Sequence, residues 1–205
     1  MPNYRRACAK GGTFFFTVVS YRRRPTLCDD DVRRALRRAV RAVQSERPFC
    51  VDAWVLLPDH LHCIWTLPSG DSDFSTRWAM IKRYVTKLTA THVSHDPLDG
   101  ACQGSLTRGA ELHKNGARSA PYDSPSRQRR NEGRVWQRRF WEHTIRDQKD
   151  LKMCVDYLHW NPVKHGHVSS VTNWPFSTFH RYVRQGLYPQ DWGGDISVNK
   201  QDFGE

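Results

Sequence analysis

The sequence lacks the features of a membrane protein or a secreted protein. It contains no continuous apolar run of about 18 residues, the length that a membrane-spanning helix needs, and residues 1–6 lack the apolar core of a signal peptide. None of its six cysteines forms a CxxC pair, and their spacing does not resemble a disulfide framework. Cys50, Cys63 and Cys154 lie in apolar surroundings, which predicts reduced core residues. We therefore expect a cytoplasmic protein without a closed structural zinc site.

The chain has fewer acidic residues than basic residues. Asp and Glu number 21 against 32 Lys and Arg, which gives a formal net charge of +11. Arginine predominates, and its planar guanidinium matches phosphate oxygens, so we expect a polyanionic partner. The charge alone would also fit a membrane surface or RNA. The 8 Trp, 7 Tyr and 9 Phe favour nucleic acid, because aromatic rings stack on unpaired bases. An arginine cluster can equally be a solvated face, which is our interpretation of Arg37-Arg38.

Hydrophobic periodicity predicts three strands and four helices, the last helix being short. The strands are rich in aromatic and β-branched residues, and the second and third form a hairpin around Pro58-Asp59. The first helix has an apolar stripe at helical spacing and ends at Pro48. The predicted strands are 13–20, 49–57 and 60–67, and the predicted helices are 29–47, 71–92, 147–160 and 179–184. This order indicates an α+β domain with helices packed on an antiparallel sheet.

One long stretch lacks any periodicity. Residues 93–133 are crowded with Gly, Ser, Pro, Asn and Arg, and so long a structureless connection is rare inside a compact domain. We predict a long disordered insertion there. Residues 1–92 and 134–184 would then form a single domain, followed by an acidic C-terminal tail at residues 185–205.

Two histidines stand out within the third predicted strand. In His60-Leu61-His62, the two-residue spacing places both imidazoles on one face of a strand, with Leu61 and Cys63 directed to the core. Neutral imidazole binds divalent transition metals well, so the pair is a candidate metal site. The alternative is two polar residues on the wet face of a sheet. The histidines alone favour neither interpretation.

A tyrosine and an asparagine share one face of the last long predicted helix. Tyr157 and Asn161 are four residues apart, on a face that we expect beside the buried stripe of the helix rather than on it. A phenol is a poor nucleophile until something removes its proton. The carboxamide oxygen of Asn161 is a candidate third metal ligand beside His60 and His62. The alternative for Tyr157 is a boundary tyrosine with a packed ring and a wet hydroxyl.

Several motifs occur in an order that is far more specific than any one of them. They are Leu57-Pro58-Asp59-His60-Leu61-His62, Trp136-Gln137-Arg138-Arg139-Phe140-Trp141-Glu142-His143, Tyr157-Leu158-His159-Trp160-Asn161-Pro162-Val163-Lys164-His165-Gly166 and Trp174-Pro175-Phe176-Ser177-Thr178-Phe179. Over most of its length the chain resembles the REP-associated tyrosine transposases, bacterial relatives of the single-tyrosine HUH transposases of insertion sequences. The stretch from about 93 to 133 departs from the family pattern.

The resemblance implies a fold, a metal site and a reaction. The fold is a ferredoxin-like HUH domain, in which His60, His62 and Asn161 hold a divalent metal, Mg²⁺ or Mn²⁺, and Tyr157 is the nucleophile. The reaction is cleavage and rejoining of single-stranded DNA by transesterification through a 5′-phosphotyrosine. The substrates are REP-type hairpins with a short conserved tetranucleotide at the foot. The REP-associated branch resembles a monomer rather than the dimers of related insertion-sequence enzymes, and the bacterial protein would associate with the nucleoid.

Two basic segments are candidates for DNA binding. Their predicted contact residues are Arg5, Arg6, Lys10, Gly11 and Gly12 in the first segment and Trp136, Gln137, Arg138 and Arg139 in the second. The basic side chains would bind phosphates, the glycines would permit close approach of the backbone, and the aromatic rings would stack on bases. The aromatic residues of the second segment could instead belong to the core.

Two other functions compete with the enzyme. One is a catalytically silent hairpin DNA-binding protein with a structural or regulatory role, and the other is an RNA-binding module that uses the aromatic residues of the first strand. The presence of His60, His62, Tyr157 and Asn161 together favours the enzyme. A silent relative has no need to keep all four, and an RNA-binding sheet leaves the histidines without a role.

Overall fold

The computed structural model describes residues 9–93 and 135–193, with side chains for all of these except 91–93. The strands in this part of the chain are β1 (Thr13–Val19), β2 (Cys50–Leu56), β3 (His60–Thr66) and β4 (Trp141–Thr144). The α-helices are α1 (Asp30–Glu46), α2 (Phe74–Val93), α3 (Gln148–Lys164) and α4 (Phe179–Arg184). The three predicted strands and four predicted helices are confirmed, whereas β4 is an additional strand that the sequence did not predict.

The four strands form one antiparallel sheet in the order β2-β3-β1-β4. Because β1 and β2 are each antiparallel to β3, they run parallel to one another without being neighbours, and the same holds for β3 and β4. Each of these pairs is joined by a helix, so the core has a βαββαβ arrangement. This is the α+β, ferredoxin-like architecture that the sequence predicted.

The pleat of the sheet divides its side chains between two buried faces. On one face, Phe14, Phe16 and Trp65 pack against α1 and α2, and the Trp65 ring is stacked on that of Trp78 with centroids 4.3 Å apart. On the opposite face, Phe15 packs with α3 residues that include Leu158. Both central strands are therefore covered on two sides, which explains why β3 is almost wholly buried.

Helix α3 lies on the second face and extends further than predicted. Its N-terminus is capped by the Asp147 carboxylate, which accepts a hydrogen bond from the Asp150 backbone N–H at 2.8 Å. The predicted end at Trp160 is wrong, because the helix continues through Pro162 to Lys164. Pro162 has no N–H to donate to the Leu158 carbonyl, but helical hydrogen bonding resumes after it, since the His165 N–H donates to the Asn161 carbonyl at 3.0 Å.

The cysteines differ in their surroundings. Cys63 and Cys154 are buried and free, as predicted, but Cys50 is exposed, so its assignment to the core is wrong. It is the first residue of the edge strand β2, one side of which has no neighbouring strand within the described part of the chain. Within residues 9–93 and 135–193 no helix is long and apolar enough to cross a membrane.

The predicted insertion at 93–133 falls almost entirely outside the described residues, and the single-domain boundaries remain predictions. The first residues of the predicted tail pack on the domain. The Tyr188 ring lies 5.9 Å from that of Phe179, and its hydroxyl is hydrogen-bonded to the Asp156 carboxylate on α3. Residues 194–205 lie outside the described part of the chain.

Candidate active site

His60 and His62 lie side by side on the face of the sheet that α3 covers. Their side chains point the same way because they are two residues apart on β3, and their ring centroids are 4.9 Å apart. Exposure is 1% for His60 and 0% for His62, so the interpretation as a wet strand face is wrong. Leu61 and Cys63 are buried in the opposite core cluster, as predicted.

Each histidine is held through its Nδ1 atom. The Nδ1 of His60 donates a hydrogen bond to the Asp59 carboxylate at 2.7 Å, and the Nδ1 of His62 is hydrogen-bonded to the Thr17 hydroxyl at 2.9 Å. A hydrogen-bond partner at Nδ1 fixes the orientation of each ring and leaves Nε2 as the nitrogen that is suited to bind a metal. Two buried, neighbouring imidazoles with oriented rings therefore fit a divalent metal.

Asp59 is fixed by the β2–β3 turn. Its carbonyl accepts a hydrogen bond from the Ser20 N–H at 2.8 Å, and its carboxylate accepts one from Arg23 at 3.0 Å. Burial opposes ionisation, but the hydrogen bonds from His60 and Arg23 and the positive charge of Arg23 outweigh it and lower the pKa of Asp59 to about 2. The carboxylate is thus ionised and able to accept the hydrogen bond from the His60 Nδ1–H.

Tyr157 faces these histidines from α3. Its ring centroid lies 5.6 Å from that of His62 and 6.2 Å from that of Phe15. Its exposure is 3%, and it belongs to the same buried cluster as Cys154 and Leu158. The predicted position beside the buried stripe is therefore wrong: Tyr157 is part of the buried face, because α3 is covered by the sheet and by the segment that follows it.

The hydroxyl of Tyr157 has a charged neighbour that the motifs in the sequence did not indicate. The Lys164 ammonium group donates a hydrogen bond to this hydroxyl at 2.9 Å and lies 4.8 Å from the ring centroid. Seven residues correspond to about two helical turns, so both side chains project from the same side of α3. The expected helix end at Trp160 concealed this contact, because it placed Lys164 outside the helix.

Asn161 is fully buried on the same helix, one turn after Tyr157. The four predicted residues thus come from two elements that pack together, with both histidines on β3 and the tyrosine and asparagine on α3. The role of Asn161 as a third metal ligand remains a prediction.

Another ring side chain, that of His165, lies beside His60. The His165 ring centroid lies 5.2 Å from that of His60, just past the C-terminus of α3. His159, also on α3, instead has a structural role. Its Nε2 is hydrogen-bonded to the Thr178 hydroxyl at 3.0 Å, and burial, with Arg181 and His180 nearby, lowers its pKa to about 3.

A further polar cluster joins β4 to the start of α3. The His143 Nε2 lies 2.9 Å from the Asp150 carboxylate, and the Cys154 thiol lies 3.8 Å from the same carboxylate. One potential ligand atom from each of the three residues lies within 4.8 Å of the others. Hydrogen bonds account for these contacts, so we interpret the cluster as a clamp between β4 and α3. The only sequence clue was the four-residue spacing of Asp150 and Cys154.

The first predicted DNA-binding segment is only partly described. Lys10 is exposed, whereas Arg5 and Arg6 lie outside the described residues. Gly11 has a φ of +67°, and a Cβ atom there would lie 3.1 Å from the Ser69 Cα. The absence of a side chain at Gly11 therefore lets its backbone pack closely against the protein's own turn at Ser69. Gly12 is half-buried beside it.

The second segment has two kinds of residue. Trp136 is 7% exposed and belongs to the core beneath α1 and α2, so its ring is not available to stack on a base. The Gln137 N–H donates to the Val19 carbonyl at 2.9 Å, which fixes the segment beside β1. Arg138 and Arg139 are exposed and remain candidates for phosphate binding.

Comparison with known proteins identifies the family. A REP-associated tyrosine transposase of Escherichia coli K12 is 44% identical over 197 residues, which cover 96% of this chain and 94% of that protein. The chain belongs to the REP-associated tyrosine transposases. A Haemophilus influenzae protein assigned to the same REP-associated tyrosine transposases is 38% identical over 195 residues, covering 95% of each chain.

A solved structure of a REP-associated tyrosine transposase bound to a REP hairpin matches this chain with a TM-score of 0.70 and 42% identity. The match covers 98% of this chain and 96% of that one. No general protein-family model matches the sequence. The resemblance that the ordered motifs predicted is thus confirmed, and the fold is that of a REP-associated tyrosine transposase.

Proposed function

We propose that this protein is a metal-dependent endonuclease and strand transferase that acts on single-stranded DNA in REP-type hairpins. The observation that carries the proposal is the position of the Tyr157 hydroxyl. It is buried beside the His62 ring and accepts a hydrogen bond from the Lys164 ammonium group at 2.9 Å. A phenol between paired histidines and a fixed positive charge is suited to attack a phosphate.

In the proposed reaction, the Tyr157 oxygen attacks a DNA phosphorus as the phenol releases its proton to solvent. A bond from phosphorus to the tyrosine oxygen forms, the bond to the 3′ oxygen breaks, and the departing 3′ oxygen takes up a proton from solvent to leave as a 3′-hydroxyl. The strand is held as a 5′-phosphotyrosine. One phosphodiester is exchanged for another, so rejoining by attack of a 3′-hydroxyl requires no ATP. Lys164 stabilises the negative charge that develops on the phenol oxygen.

The residues around the histidines fit a resident Mg²⁺ or Mn²⁺. We propose His60 and His62, with Asn161, as the ligands. When bound, such an ion supplies Lewis-acid stabilisation of the scissile phosphate. The contribution of the protein is orientation: Asp59 and Thr17 hold the two imidazoles through Nδ1, and burial excludes bulk water from the site.

The proposed partner is hairpin DNA, because the related solved structure, similar over nearly the whole chain, is bound to a REP hairpin. Exposed Lys10, Arg138 and Arg139 are proposed phosphate contacts. We propose a monomer as the active unit. The His62 and Tyr157 rings of one chain already lie 5.6 Å apart, so one protomer provides both halves of the site.

The second candidate function is a silent hairpin-binding protein, and the test is formation of a covalent adduct. Labelled single-stranded hairpin DNA is incubated with the protein and Mg²⁺ or Mn²⁺, then run on a denaturing gel. We expect a covalent adduct with the wild type and none with Tyr157→Phe, while hairpin binding persists in both. Tyr84→Phe is the matched control, because its hydroxyl bonds Glu46 far from the histidines.

An adduct of equal intensity from Tyr157→Phe would rule out this tyrosine as the nucleophile. Adduct formation should also stop with His60→Ala and with excess EDTA. Full activity in EDTA would exclude metal catalysis, and a wild-type protein that binds the hairpin without forming an adduct would establish the silent alternative.

A further inference from the structure

A row of ring side chains leads away from the proposed metal site across the surface. The ring centroids of His60 and His165 are 5.2 Å apart, those of His165 and His167 are 6.1 Å apart, and those of His167 and Trp174 are 5.4 Å apart. Phe176 follows at 5.5 Å from Trp174. His165 and His167 are exposed, and Trp174 and Phe176 are half-buried. We name these four side chains, His165, His167, Trp174 and Phe176, the ring track.

The ring track is fixed to the edge strand of the sheet. The Trp174 indole N–H donates to the Leu56 carbonyl at 3.0 Å, and the Leu56 N–H donates to the Phe176 carbonyl at 2.8 Å. The backbone N–H and the carbonyl of Leu56 therefore both bind the segment that carries Trp174 and Phe176. Leu56 is the last residue of β2, just before the turn that leads into β3. These hydrogen bonds fix the Trp174 ring and the backbone at Phe176, which lowers the entropic cost of binding a ligand at this end of the track.

The track ends in a groove of about 600 Å³ between α1 and the segment around Phe176. The Arg33 guanidinium lies 4.3 Å from the Phe176 ring centroid and lines this groove with Arg37 and Arg41. Arg37 and Arg41 are exposed and form no ion pair within residues 9–93 and 135–193. The groove therefore provides positive charge at the point where the rings end.

We infer that the ring track and the arginine groove bind the single-stranded DNA that continues from the strand in the active site. The inference rests on the proposed function for the position of that strand at His60. It adds a binding surface that is separate from the two basic segments recognised in the sequence. The exposed rings of His165 and His167 provide surfaces on which unpaired bases stack, and the arginines neutralise the phosphates that follow.

The order of the features favours a single strand over a duplex. Stacking on an aromatic ring requires unpaired bases, because the bases of a duplex are already stacked on one another. The track begins at His165, which contacts His60, so a strand that leaves the proposed scissile position meets the rings first and the arginines afterwards. This surface also revises our interpretation of Arg37, which the sequence suggested was only solvated.

The test is equilibrium binding by fluorescence anisotropy with the full chain in metal-free buffer, so that cleavage does not interfere. The probes are a labelled hairpin alone, the hairpin with a single-stranded oligothymidine extension on its 5′ or 3′ side, and the hairpin with a duplex extension. We expect one single-stranded extension to tighten binding by about tenfold for each stacked base, and the duplex extension to add less.

Variants separate stacking from charge. His167→Ala should lose about tenfold in affinity for the extended hairpin only, whereas His167→Phe, which keeps a ring, should retain it. Arg37→Gln should lower the salt dependence of binding by about 0.7 in the log–log slope for the extended probe. Arg38→Gln is the matched control, because Arg38 is exposed on the same helix but does not line the groove. Thermal midpoints confirm that each variant is folded.

The outcomes distinguish this inference from the proposed function. If the Tyr157 adduct forms but no single-stranded extension tightens binding, or if His167→Ala and Arg37→Gln bind like the wild type, the inference is wrong and the proposed function stands. An equal gain from the duplex extension would also overturn it. If no adduct forms but the single-stranded gain is lost in His167→Ala, the surface stands and the proposed chemistry fails.

Discussion

The Lys164 ammonium group donates a hydrogen bond to the Tyr157 hydroxyl at 2.9 Å, from the last residue of the same helix. The contact exists because α3 continues past Pro162, which brings the lysine two turns beyond the tyrosine. A fixed positive charge at this oxygen stabilises the phenolate-like state through which the proposed attack passes. The helix thus supplies both the proposed nucleophile and the group that stabilises its charge.

We expect Lys164→Gln to slow formation of the covalent hairpin adduct on the order of 10²-fold, because one preorganised electrostatic contact is lost. Hairpin affinity should change little. Single-turnover adduct formation at saturating protein provides the measurement. Lys164→Arg should recover part of the rate, and Lys152→Gln, which removes an exposed lysine paired with Asp156 on the same helix, should behave like the wild type. A full rate with Lys164→Gln would show that the ammonium group has no part in the attack.

Thr17 tests how the histidines are oriented. Thr17→Val keeps the shape of the side chain but removes the hydrogen bond to the His62 Nδ1. We expect Mn²⁺ affinity to fall by about 10- to 100-fold, because a metal-binding imidazole depends on the partner of its other nitrogen. Titration calorimetry with Mn²⁺ measures this without any reaction.

The matched control for this variant is Thr13→Val on the same strand, which removes a hydrogen bond to the Thr66 hydroxyl instead. Both variants should lose about 1 kcal/mol of stability. Only Thr17→Val should weaken Mn²⁺ binding. Equal Mn²⁺ affinity in the two variants would mean that Thr17 does not orient a metal ligand.

Asp71 and the buried Arg77 predict a pH-dependent stability. The hydrogen bond from Arg77 and that from the Asp73 N–H lower the pKa of Asp71 below its ordinary value. A carboxylate with a lowered folded-state pKa stabilises the fold above its unfolded pKa of about 4, and this contribution is lost as the pH falls through the folded-state value. Urea midpoints at pH 7 and pH 3 should therefore differ more for the wild type than for Asp71→Asn.

At pH 7, Asp71→Asn should lower the free energy of unfolding by about 2 kcal/mol, since Arg77 is 1% exposed and loses its counter-ion. The loss is limited because Arg77 also donates to the carbonyls of Arg47, Pro48 and Asp73. Asp31→Asn, which breaks an exposed pair with Arg34, should have almost no effect. The two variants behaving alike would contradict a stabilising role for the pair of Asp71 with the buried Arg77.

Comparing Gly11 with Gly70 distinguishes two destabilising effects of an added Cβ atom, a strained backbone conformation and a close contact. Both have positive φ, at +67° and +82°, but a Cβ at Gly11 would lie 3.1 Å from the Ser69 Cα, whereas one at Gly70 would meet nothing within 4 Å. Gly70→Ala should therefore cost about 1 kcal/mol from its backbone conformation alone, and Gly11→Ala about 1 kcal/mol more. Thermal unfolding measures the difference. Equal losses would mean that the contact with the turn is easily relieved.

The fold was predictable where local pattern and tertiary structure agree. Strands β1 and β3 and helix α1 have clear periodicity, and their predicted bounds lie close to those observed. Strand β4 was missed because its four residues, Trp141–Thr144, do not alternate between apolar and polar. It forms because β1 offers a free edge for pairing, which is a contact distant in sequence.

For the candidate site, spacing placed His60 and His62 on one face, but it did not predict their burial. Burial depends on α3, which lies nearly a hundred residues later. Lys164 and His165 were missed because proline normally ends a helix, and only the contacts after the helix show why this one continues. The ring track was also beyond prediction, since His167 and Trp174 meet through a turn without periodicity.

The proposed catalytic and metal-binding residues also lie in two separate segments of the chain. Residues 9–93 carry both histidines, residues 135–193 carry the tyrosine, and the two segments meet through the β1–β4 ladder and the packing of α3 on the sheet. A gene split within codons 94–134 should thus give two polypeptides, neither of which cleaves DNA alone. Their co-expression should restore adduct formation by fragment complementation, and this would make the protein a strand-cutting enzyme that can be switched on by assembling its halves.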